Sequence, residues 1–132
     1  MKKSETNRNY FGLNFIATGA ETNGKYFLSK TIIPAGDPGP PAHAHSKEDE
    51  SFFLTSGKLK FVVNGEDIEL KPGEFLNIEK GEKHTWKNDS NEEAELIITF
   101  APAGIENMFV ELDRDISRIK EIGIKYGTDF EL

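Results

Sequence analysis

Pro40-Pro41-Ala42-His43-Ala44-His45-Ser46-Lys47-Glu48-Asp49-Glu50 holds two of the three histidines in this 132-residue chain. On an extended backbone, residues i and i+2 point to the same face. His43 and His45 therefore aim two imidazoles at one point, and Glu50 follows on the same stretch. Neutral imidazole is a ligand for zinc, copper, iron and nickel, and a carboxylate adds one hard oxygen. The stretch predicts a strand that presents a metal site. The third histidine, His84, lies far off in Gly81-Glu82-Lys83-His84-Thr85-Trp86-Lys87-Asn88.

Upstream, Pro34-Ala35-Gly36-Asp37-Pro38-Gly39-Pro40-Pro41 carries four of the six prolines. Prolines donate no ladder hydrogen bonds, so this segment is a stiff loop or edge that delivers the chain into His43. Before it, Tyr10 to Ala17 reads as a strand with Phe11, Leu13 and Phe15 on one face. Thr18 to Gly24 reads as a turn region and Lys25 to Ile33 as a second strand.

Downstream, short strands follow one another. Ser51 to Thr55 is one. Lys58 to Val63 alternates, with Leu59, Phe61 and Val63 on one side and Lys58 and Lys60 on the other. Asn64-Gly65 is a type I′ hairpin signal, and Glu66 to Leu70 returns. Phe75 to Ile78 and Lys83 to Lys87 are further strands. Ala94 to Phe100 is a near-continuous apolar run, hence a well-buried strand. At Pro102-Ala103-Gly104 the period changes: Ile105, Met108, Phe109 and Leu112 mark one helix face, and Ile116 and Ile119 a second short helix. The tail reads as polar. Many strands with Gly, Pro and Asn turns predict an antiparallel sandwich or barrel. The terminal helices are expected on its outside or at a subunit contact.

The net charge of −7 and the lack of a lysine/arginine cluster set nucleic acid aside. An acidic surface argues against anionic membranes. With no cysteine, disulfides, zinc ribbons, Fe–S clusters and thiol nucleophiles are excluded. The polar stretch after Met1-Lys2-Lys3 has no apolar h-region, and no run approaches a membrane span, so a cytoplasmic protein is expected. There is no P-loop, G-x-S-x-G or dinucleotide fingerprint.

Together these residues resemble the two motifs of the cupin family. Gly36, His43, His45, Glu50 and Gly57 match the first motif; Gly65, Gly81, His84 and Asn88 match the second. Gly36 lies one residue further from His43 than the family's commonest spacing, and Glu79 stands where the second motif usually has proline. The ending Ala101 to Phe109 is similar to that of small quercetin dioxygenase-like cupins. The resemblance implies an all-β fold: a double-stranded β-helix, or jelly-roll, barrel with one or two short C-terminal helices. It implies one cupin domain over 1–132, with its motif core at about 30–100 and a helical segment at about 104–126.

His43, His45, Glu50 and His84 are the expected metal ligands, with Glu48 or Asp49 able to replace Glu50 through a one-residue bulge. Glu50 is also a candidate base. The cofactor is one divalent transition ion: Fe, Mn, Ni, Cu or Zn. Phe52 and Leu54 share the Glu50 face, and Trp86 shares that of His84, so these are candidate pocket-lining residues as well as core candidates. Asn88 is expected to close a turn. The leading expectation is a metal-dependent, dioxygenase-like enzyme acting on a small organic molecule, assembled as a homodimer. A non-catalytic metabolite-binding cupin and a metal-free structural barrel are the alternatives.

Overall fold

The computed structural model describes residues 1–5 and 7–132. In chain order it forms β1 (Asn9–Tyr10), β2 (Leu13–Ala17), α1 (Gly19–Thr22), β3 (Phe27–Ile33), β4 (His43–His45), β5 (Asp49–Ser56), β6 (Leu59–Val63), β7 (Glu66–Leu70), β8 (Phe75–Ile78), β9 (His84–Lys87), β10 (Ala94–Ala101), α2 (Glu106–Arg114), a 3-10 turn (Ile116–Arg118), α3 (Ile119–Tyr126) and β11 (Thr128–Phe130). The strands make two sheets, ordered β1-β2-β3-β10-β5-β8 and β11-β4-β9-β6-β7. Every pairing between described strands is antiparallel.

Alternation sets which side of each strand is inside. On β6, Leu59, Phe61 and Val63 are buried and Lys60 is exposed. On β5, Glu50, Phe52 and Leu54 are buried. β10 lies between β3 and β5, and its inward Ala94, Leu96, Ile98 and Phe100 join Phe27, Phe52 and Phe61 in one core. Each large side chain buried this way removes about 1.5–3 kcal/mol of apolar exposure. Asn64 and Gly65 both have positive φ and join β6 to β7, as the I′ signal predicts.

The proline-rich segment lies against β9. The Thr85 hydroxyl donates to the Pro40 carbonyl at 2.7 Å, and the Asn88 amide donates to the Asp37 carbonyl at 2.9 Å. Gly39 has φ +81°, and any side chain there would run into the Trp86 carbonyl. A residue with no Cβ is what lets the loop pack this closely.

Two expectations need correction. Tyr10 to Ala17 is not one strand: Phe11 and Gly12 both have positive φ and reverse the chain, pairing Tyr10 with Leu13. Phe11 is exposed, whereas Leu13 and Phe15 are buried. The Thr18 region is a one-turn helix, held by a capping box between Thr18 and Glu21. The C-terminal helices pack against the core through the expected apolar face. Met108 and Leu112 of α2 are fully buried, and Glu106 at its start accepts from the Gly19 and Gly104 amides at 2.8 and 2.5 Å. After α3, Gly127 ends the helix in the left-handed conformation, and the tail returns as β11 along β4.

No described helix is long and apolar enough to cross a membrane.

Candidate metal centre

Strand pairing assembles the site. β4 and β9 are neighbours, with His43 directly opposite His84, and their ring centroids are 4.4 Å apart. His45 is two residues along β4, so it presents to the same side, 5.0 Å from the His43 ring. Glu50 comes from the other sheet, on β5 between β10 and β8. The cluster therefore bridges the two sheets. Its four donor atoms lie within 4.8 Å of one another, and all four residues are buried.

Backbone carbonyls orient two of the rings. His43 Nδ1 donates to the Pro41 carbonyl at 2.8 Å, and His84 Nδ1 donates to the Glu82 carbonyl at 2.9 Å. A carbonyl can only accept, so Nδ1 carries the proton, and in the neutral ring Nε2 carries the lone pair. His45 Nδ1 lies 2.8 Å from the Thr128 hydroxyl. Partners of this kind, behind a ligand, fix ring orientation in metal sites.

Electrostatics separates the four groups. Burial pulls His43 down to about 4. Burial raises Glu50, but the His45 and His84 imidazoles outweigh it and bring the carboxyl to about 2. Burial also opposes charge on His84, yet Glu50, 2.9 Å from its Nε2, holds its pKa above the usual value. His45 Nε2 is 3.1 Å from the same Glu50 oxygen but makes no hydrogen bond. A buried nitrogen left without a partner, aimed among three other donors, fits a cation.

Donors about 2.1 Å from one ion sit roughly 3–4 Å from each other, so the observed cluster needs only small side-chain adjustment. Three imidazoles and one carboxylate suit a divalent transition ion, whose identity the donors leave open.

Asp49 and Glu48 stand outside the cluster. Asp49 accepts from the Lys80 amide at 3.0 Å, while Glu48 is buried with one carboxylate oxygen unpaired and its pKa raised by burial.

A cavity of about 280 Å³ opens onto the site, with His43, His45 and Glu50 on its wall. Trp86 lines it. Phe52 and Leu54 do not: both are fully buried, and the Phe52 ring packs 5.5 Å from Trp86, behind the wall. The remaining wall comes largely from residues with no such reading in the sequence, notably Phe100, Met108, Phe109, Leu112 and Phe130. Thr128 and Phe130 belong to a three-residue strand in a polar tail, and nothing local marked them. Asn88 does close a turn, accepting from the Ser90 amide and donating to the Glu92 carbonyl.

Two antiparallel sheets with a buried three-histidine, one-carboxylate cluster between them define a jelly-roll-type protein with a candidate metal centre. The chain belongs to the cupin family: the family described as Cupin domain matches residues 29–100, more than half of it. Quercetin 2,3-dioxygenase of Bacillus subtilis is 28% identical over 76 residues, which is 58% of this chain and 22% of that protein. An oxalate-binding protein of Thermotoga maritima is 27% identical over 73 residues, 55% of this chain and 59% of that one. This chain thus spans less than two thirds of either relative. Among solved structures, a predicted oxalate decarboxylase from Thermotoga maritima superposes with a TM-score of 0.65 at 21% identity, over 76% of this chain and 92% of that one. That likeness bears on the fold.

Proposed function

We propose that this cupin holds one divalent transition ion on His43, His45, Glu50 and His84 and acts on a small organic molecule as a dioxygenase-like enzyme. The observation that carries the reading is the convergence of four buried donors, three of which, His43, His45 and Glu50, line an apolar cavity. Distant similarity to a quercetin dioxygenase supports the reaction class. The two sheets are read as the walls of a closed barrel.

When bound, the ion supplies open coordination positions and Lewis acidity toward substrate oxygens. The chain supplies the rest. His43 and His84 are held by carbonyls with Nε2 toward the ion. Glu50, ionised at neutral pH, would hold the ion and is the candidate base for a substrate hydroxyl. Trp86, Phe100 and Phe130 exclude water and orient the substrate body. Self-association as a homodimer completes the reading; Phe53 and Phe75, opposite each other on β5 and β8 and both exposed, offer an apolar strip for it.

The test is oxygen uptake by protein loaded in turn with Fe(II), Mn(II), Ni(II) and Cu(II), across phenols and enols, with mass spectrometry of products. Turnover lost in His84→Ala supports the reading. Metal binding with no turnover across the panel overturns it in favour of a non-catalytic binder.

A further inference from the structure

Charge and size in the cavity say what kind of molecule it takes. We infer that the ligand is an uncharged, one- or two-ring aromatic or enol compound with oxygen donors at one edge, and not a small dianion such as oxalate or a sugar phosphate. This rests on the metal reading for its oxygen donors, and on the cavity alone for its body.

Among the described residues lining the cavity there is no lysine or arginine. The charged groups there are Glu50 and Asp37, both acidic. A divalent ion with Glu50 would leave one net positive charge, and Asp37 adds a second carboxylate to the same wall. Asp37 is fixed in place, its carboxylate accepting from the Gly39 amide at 2.8 Å. A dianion would therefore bring unbalanced negative charge into an apolar enclosure, which burial strongly disfavours. Recognition of phosphate or carboxylate normally uses arginine or lysine, and the walls offer neither.

The walls instead fit a ring. Trp86, Phe100, Phe109 and Phe130 line the cavity, together with Met108 and Leu112. His43 lies 6.1 Å from the Trp86 ring and 5.5 Å from the Phe130 ring, so a ligand at the imidazoles has two aromatic rings close by. A cavity of about 280 Å³ is at the lower end for small-molecule pockets. It is about twice the roughly 150 Å³ of a cavity that takes up one benzene ring, which is room for about two fused rings.

Trp86 is the chain's only tryptophan, so its fluorescence reports the cavity. The experiment uses zinc-loaded protein, redox-silent, titrated with 2,3-dihydroxynaphthalene, catechol and oxalate, with calorimetry as a second readout. The expected order is 2,3-dihydroxynaphthalene at least tenfold tighter than catechol and at least a hundredfold tighter than oxalate. Phe109→Ala, with Phe109→Leu as the milder variant, should weaken the naphthalene compound about tenfold for Ala and less for Leu, leaving zinc affinity and oxalate unchanged. Oxalate binding as tightly as the naphthalene compound, or quenching insensitive to both Phe109 variants, would overturn the inference. Zinc is titrated alone beforehand. Zinc that fails to bind, with 2-naphthol still quenching Trp86 in metal-free protein, would sink the metal reading and leave the apolar cavity's preference standing.

Discussion

Pro41 and Glu82 do the same task from different loops. Each offers a backbone carbonyl to the Nδ1 of a histidine two residues later, at 2.8 and 2.9 Å. Thr128 does it for His45 with a side chain, so it is the one orienting partner that a substitution can remove. Thr128→Val should lower metal affinity about 10- to 100-fold, the usual cost of losing a partner behind a ligand. Competition with a chromophoric chelator would measure it, and Thr128→Ser should restore most of the loss. The titrating groups make a second prediction. Burial keeps His43 neutral to about pH 4, whereas the unfolded chain takes up that proton near 6.5. Between those values the unfolded state binds more protons, so metal-free protein loses stability as pH falls from about 6.5 to 4, by about 3 kcal/mol from this residue. Urea unfolding at pH 7 and pH 4 should show a smaller loss in His43→Gln than in the unaltered protein. His84 has the opposite sign. Its pKa is raised, so its pairing with Glu50 stabilises fully below 6.5 and is lost as pH rises through the raised value. A metal must displace that proton, so affinity should climb over the same range, with proton release visible by calorimetry in buffers of different ionisation enthalpy.

At the scale of elements, α2 and β11 are what the sequence left least determined. The helix period of Ile105, Met108, Phe109 and Leu112 was plain, but periodicity says which face is buried and not against what. Here the face closes over the cavity, and Phe109 packs 5.8 Å from Phe100. Leu112→Ala should therefore cost about 2–5 kcal/mol, as for a fully buried leucine, and also enlarge the ligand cavity. Thermal melts and Trp86 fluorescence would report both. β11 has one apolar residue, Phe130, among Thr128, Asp129 and Phe130, too few for a strand signal. Its pairing with β4 is a contact between distant segments, and its hydrogen bond to His45 spans 83 residues. The strands between them were legible because each carries its own punctuation: Asn64-Gly65, Lys71-Pro72-Gly73 and Gly81 mark reversals that local chemistry requires. Phe11-Gly12 carries weaker punctuation, since phenylalanine at positive φ is not a turn residue by preference.

For the whole molecule, the four residues that meet in the candidate metal cluster could be read from the sequence, while most of the pocket could not. His43, His45, Glu50 and His84 stand out through residue type and spacing, and antiparallel pairing of β4 with β9 is enough to unite the histidines. The pocket is a property of packing, drawn from both sheets, α2 and the last strand, and Phe52 and Leu54 show how a shared face with Glu50 can still lead behind the wall. The central claim remains that the two sheets are joined by an ion. Elemental analysis of protein purified without a metal-affinity tag, paired with melting curves after chelator treatment, tests it most directly. The account predicts about one divalent transition ion per chain, a fall in melting temperature when it is removed, and loss of both in His43→Ala/His45→Ala. Protein with no bound transition metal, whose melting temperature ignores added metal and is unchanged by the double substitution, would contradict it.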